Sequence, residues 1–113
     1  MNIFSDRSQG GTRRPAVAGA FYPGSANELR SDIDDFLANV EKVSIDGKIV
    51  ALMVPHAGYM YSGQVAAYAF KQIEGMDFDS VIMLGVSHRV PFTGVNIYKS
   101  GAYETPLGVV EVD

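Results

Sequence analysis

A chain of 113 residues that is 47% hydrophobic and 19% charged has the composition of one small globular domain, or of a piece of a larger one. Its net charge of −4 and its single adjacent pair of cations, Arg13-Arg14, exclude the basic stripe of a nucleic-acid binder. No apolar run approaches the ~20 residues that cross a bilayer. Without cysteine there is no disulfide and no thiolate ligand in this stretch, and without an apolar leader the expected setting is cytoplasmic.

Residues 1–12 are polar and Gly-rich and read as a disordered tail. Residues 13–24 carry Pro15, Gly19, Pro23 and Gly24 and read as an ordered loop. Ser25-Ala26-Asn27-Glu28 fits a capping box, and Leu29, Ile33, Phe36, Leu37 and Val40 then recur on one helical face. Ile49 to Val54 is a short apolar run of the kind that forms a strand covered on both faces of a parallel sheet. After a loop from Pro55 to Gly63, a second helix is predicted over about Gln64 to Glu74, with Val65, Ala69, Phe70 and Ile73 inward and Gly75 as its stop. Ser80 to Leu84 is a second buried-type strand, so strand, helix and strand make a right-handed βαβ unit. Val95–Tyr98 and Val109–Val112 read as later strands, with a loop from Tyr103 to Gly108 between them.

The two histidines each follow a predicted buried strand: His56 through Pro55, and His88 through Gly85-Val86-Ser87. Ligands of open α/β sheets bind outside the carboxyl ends of the strands. Neighbouring strands would therefore bring both imidazoles to one crevice, and neutral imidazole is the commonest metal ligand. Tyr59, Tyr61 and Ser87 flank them and offer hydrogen-bonding groups to an oxygen ligand; turn and packing roles are the plainer reading, above all for Tyr61. Neither strand leads into a dinucleotide fingerprint, a P-loop or a G-x-S-x-G elbow, so nucleotide binding and serine hydrolysis have no motif behind them.

Arg14-Pro15-Ala16-Val17-Ala18-Gly19-Ala20-Phe21-Tyr22-Pro23 resembles the opening motif of the Memo family, the AmmeMemoRadiSam system protein B type. Val54-Pro55-His56-Ala57-Gly58-Tyr59 with Tyr61-Ser62-Gly63 is similar to its most specific signature. Leu84-Gly85-Val86-Ser87-His88 and Tyr103-Glu104-Thr105-Pro106-Leu107-Gly108 continue the match in order. The resemblance implies an α/β fold related to class III extradiol ring-cleaving dioxygenases, with a central, largely parallel sheet between helical layers. It places the family's two metal-binding histidines on His56 and His88 and an aromatic pair near the pocket mouth on Phe21 and Tyr22. The third ligand, often a cysteine, is implied to come from a C-terminal half that these residues do not include.

The expectation is thus the N-terminal part, residues 13–113, of a metal-binding, oxidoreductase- or dioxygenase-like protein. Iron or copper would be held by His56 and His88 in the intact protein, with Tyr59, Ser87, Phe21 and Tyr22 as neighbouring or substrate contacts. By itself this stretch is expected to be inactive, and to self-associate through an open sheet edge. The alternative is a non-catalytic module that holds a peptide or an anion in the same crevice.

Overall fold

A computed structural model describes residues 11–113. The chain is α/β, and its elements in order are β1 (Thr12–Arg13), α1 (Ala26–Ala38), α2 (Tyr59–Ile73), β2 (Ala102–Thr105) and β3 (Gly108–Glu111). Of the stretch read as a tail, residues 1–10 lie outside the described residues. Gly11 and Thr12 are tied down: the Gly11 carbonyl accepts from the Tyr98 hydroxyl at 2.7 Å, and Thr12 lies in β1.

Helix α1 starts where the capping box predicts. Ser25 is its N-cap, extended in backbone, and accepts from the Glu28 N–H at 3.5 Å. Leu29 and Val40 are buried, Asp34 and Asp35 are exposed, and Asp32 is half-buried. Helix α2 starts five positions before the predicted Gln64, because Gly58 acts as its N-cap and the Gly58 carbonyl accepts from the Tyr61 and Ser62 N–H groups. Gly63 is therefore inside the helix and not in a loop. The inward positions shift with it: Ser62 and Ala67 are buried, whereas Val65 and Phe70 are exposed.

The two helices pack through Gly63. A Cβ on Gly63 would stand 2.6 Å from the Phe36 ring, so the close approach needs glycine. Polar side chains of α2 then satisfy the chain leaving α1: Gln64 Nε2 donates to the Phe36 carbonyl at 3.0 Å, and Gln72 Oε1 accepts from the Val43 N–H at 2.9 Å. Lys42 Nζ donates to the Glu74 carbonyl at 2.8 Å, which helps close the C-terminal end of α2.

The sheet is small and mixed. β1 pairs with β2 in parallel, and β2 pairs with β3 antiparallel. Residues 103–108, expected to be a loop, are instead a hairpin: Thr105 pairs with Gly108 across Pro106-Leu107, and Thr105 Oγ1 accepts from the Leu107 N–H at 3.1 Å. The strand expected over Val109–Val112 is present one residue earlier. Arg13 lies over the Tyr103 ring, 5.6 Å from its centroid, and fastens β1 to β2 from the side.

The predicted strands over residues 49–54, 80–84 and 95–98 carry no ladder hydrogen bonds, so the largely parallel central sheet is not formed by the described residues. A strand exists only through its partners, and these runs have none. Even so, the runs 49–54 and 80–84 begin at one crevice and lead to one meeting point. Lys48, Ile49, Asp79 and Ser80 line one crevice at their start, and His56 meets His88 past their end. That is the path of the expected βαβ crossover, traced without its ladder. No helix of the described residues is long and apolar enough to cross a membrane.

Gly63→Ala sets a gain in helix propensity of ~1 kcal/mol against overpacking of ~1–3 kcal/mol. Urea unfolding should show a net loss of about 1 kcal/mol, and the loss should shrink in a Phe36→Leu background. A stabilised Gly63→Ala variant would mean that the helices do not meet at this point.

Candidate metal and ligand site

The two histidine rings converge. His56 Nε2 lies 3.1 Å from His88 Nε2, with the ring centroids 5.2 Å apart. Both side chains are exposed, and the loops that carry them are held by local bonds. On the His56 side, the buried Ser62 hydroxyl donates to the Ala57 carbonyl at 3.1 Å, fastening the loop to the first turn of α2. On the His88 side, the Ser87 hydroxyl donates to the Val90 carbonyl at 2.6 Å and accepts from the Val90 N–H at 3.3 Å. Ser87 thus shapes the turn around His88, and its hydroxyl is committed there.

His56 also lines a crevice of about 580 Å³, in the range of small-molecule pockets. Its walls come from the loop before α1 (Val17, Phe21, Tyr22), from α1 (Ile33, Phe36) and from α2 (Tyr59, Phe70). Among the described residues no lysine or arginine lines it, so they offer an anionic ligand no cation there. The Tyr22 and Tyr59 rings tilt against each other at 5.7 Å, and Phe36 meets the Tyr59 ring edge-on at 6.2 Å. Phe21 is half exposed at the rim, and Tyr61 points away into solvent.

The site residues named from the sequence fall into one neighbourhood. Phe21, Tyr22, His56 and Tyr59 line the same crevice, and His88 joins through its contact with His56. Sequence reasoning missed Phe36 and Ser62. Phe36 reads as one more apolar position of α1, and only the packing brings its ring to Tyr59. Ser62 lies inside the Tyr61-Ser62-Gly63 motif, where a small polar residue beside a tight turn could have been read as a local cap.

Burial raises the Tyr59 phenol above its ordinary 10.0, and the nearby Tyr22 adds to the rise. The phenol therefore stays a neutral hydrogen-bond donor at the crevice wall. A raised folded-state value means that its contribution to stability is whole below pH ~10 and is lost as pH climbs through the folded-state value. Absorbance titration of the six tyrosines should reveal a late-ionising group that Tyr59→Phe removes. Superimposable high-pH ends of the two titrations would contradict the burial of this phenol.

Residues 13–113 match the Memo-like protein family. The chain is 43% identical over 101 residues to a MEMO1 family protein of Aquifex aeolicus, covering 89% of this chain and 36% of that protein. It is 40% identical over 96 residues to one from Thermoplasma volcanium, covering 85% and 35%. With one from Nitrosopumilus maritimus it shares 38% over 105 residues, covering 89% and 38%. The chain thus spans little more than a third of the length of these relatives. The match includes both histidine loops, the aromatic loop and the hairpin, and the chain belongs to the Memo-like family.

Proposed function

We propose that this chain carries part of the metal centre of an oxidoreductase-like protein, with His56 and His88 holding one divalent redox metal, iron or copper. The observation behind the reading is the 3.1 Å separation of the two Nε2 atoms. Nitrogens that share an ion, each ~2.0–2.1 Å from it, stand ~2.8–3.4 Å apart when the angle between them is ~90–110°. The observed spacing falls in that window. A bare imidazole pair at this distance is held by one N–H···N bond, so the two states compete for the same lone pair.

The donor chemistry fits a redox metal. Imidazole suits iron and copper, and the exposure of both rings leaves room for further ligands. Among the described residues no group of three or more His, Cys, Asp or Glu side chains gathers in one place, and the pair offers two nitrogens. A bound ion would supply Lewis acidity and redox chemistry toward a small oxygen-bearing ligand. The chain's own part is to present the lone pairs and to wall the approach with Phe21, Tyr22 and Tyr59. The Tyr59 phenol, kept protonated, offers a donor to a ligand entering from the crevice.

The apolar, aromatic crevice also suits the non-catalytic reading, in which a peptide side chain docks there without metal. Dependence on the histidines separates the two. Calorimetric titration with copper(II) should give one weak site per chain. His56→Ala and His88→Ala should each weaken it by more than the ~10–100-fold that loss of a supporting partner costs. Affinity should also fall as pH is lowered, because a protonated imidazole has no lone pair to give. Binding unaffected by either substitution would overturn the proposal. Tight stoichiometric binding would show that a third ligand had been overlooked.

A further inference from the structure

One-electron oxidants settle on the side chains that give up an electron most readily. These 113 residues hold neither cysteine nor tryptophan, so that role falls to the six tyrosines. Methionine instead takes up an oxygen atom. The six are not equivalent. Tyr61 and Tyr68 stand exposed on α2. Tyr98 and Tyr103 form one ring pair, with centroids 5.3 Å apart. Tyr22 and Tyr59 form another, 5.7 Å apart and tilted by 49°, and both line the crevice that His56 also lines.

The backbone holds the Tyr22–Tyr59 contact in place. The Tyr59 N–H donates at 2.7 Å to the carbonyl of Phe21, the residue before Tyr22. Gly58 lets the two segments come this close. Both rings are half-buried, within reach of a small oxidant and shielded in part from the ring of another molecule. Two reactive groups held in contact combine as one unimolecular unit, at an effective molarity far above that of free partners.

We infer that Tyr22 and Tyr59 are an oxidative cross-linking site, which a peroxide-class oxidant acting in one-electron steps joins into an intramolecular dityrosine. Each phenol gives up one electron and one proton. The two phenoxyl radicals then form a carbon–carbon bond between the ring positions beside their hydroxyls. The hydrogens on those carbons move to the oxygens, and both rings are aromatic again. The protein has lost two hydrogens. The O–O bond of the peroxide has broken and taken up the two electrons, leaving two waters from hydrogen peroxide or two sulfates from persulfate. The product ties the loop that carries Phe21 to the first turn of α2 and fixes the crevice wall. A redox metal on His56 and His88, as proposed above, would be one source of oxidant beside the crevice. The cross-link rests on the ring geometry and not on that reading.

Photo-oxidation of the whole chain with ruthenium tris(bipyridine) and persulfate, in dilute solution without added metal, tests the inference. The expected product is a single chain lighter by two hydrogens. Digestion and mass spectrometry should give a linked peptide that joins Tyr22 to Tyr59. Tyr22→Phe and Tyr59→Phe should each abolish that peptide, and Tyr61→Phe should leave it. Absence of the Tyr22–Tyr59 peptide from the oxidised parent chain would overturn the inference, most plainly where Tyr98 has joined Tyr103 and so shows that oxidant was delivered. Dityrosine that forms only between chains would overturn it equally.

Discussion

The backbone hydrogen bond from the Tyr59 N–H to the Phe21 carbonyl, at 2.7 Å, is the constraint on which the crevice depends. The first N–H groups of a helix have no partner inside it. Here one of them is answered by the loop before α1. The bond sets Phe21 and Tyr22 beside the start of α2, three positions after His56. Gly58 makes it possible, since a Cβ there would stand 3.3 Å from the Phe21 carbonyl oxygen. A larger residue would crowd the Phe21 carbonyl and strain this bond. The motif around His56 and the opening motif around Phe21 are thus parts of one structural device, although more than thirty positions separate them.

This explains how much of the molecule was legible in its residues. Helix α1 announces itself through Ser25 and Glu28 and through an apolar face of regular spacing, all of which are local signals. The start of α2 was misplaced because Gly58 and Gly63 look like loop glycines. Their real reasons are contacts with Phe21 and Phe36, and contacts of that kind have no signature in a single chain. The hairpin at Thr105 to Gly108 was likewise hidden, because its turn is built by Pro106 and by a threonine hydroxyl, not by an Asn-Gly pair. The apolar runs at 49–54 and 80–84 have the residue pattern of covered strands. Their path from one crevice to one meeting point fits that pattern, but the hydrogen bonds and the cover do not. Strand character is supplied by neighbours, and residue pattern alone cannot create the neighbours.

The histidine pair was legible for a different reason. Each ring follows an apolar run, and parallel runs joined by a helix must finish at the same end. Topology alone then brings His56 to His88 even where the ladder between the runs is missing. What topology could not give is the orientation of the rings, nor the commitment of the Ser87 hydroxyl to its own turn. Among the described residues the neighbourhood holds two imidazoles and an aromatic wall, with no third His, Cys, Asp or Glu gathered beside the pair. On the proposed reading, an ion on this pair would take its remaining ligands from solvent, from a substrate, or from further protein.

The central claim is that both imidazoles share one ion. Pulsed electron paramagnetic resonance of the whole chain loaded with one equivalent of copper(II) reads the number of equatorial imidazoles directly. The account predicts modulation from two imidazoles, falling to one in His88→Ala. Modulation from a single imidazole in the parent chain, unchanged by that substitution, would contradict it.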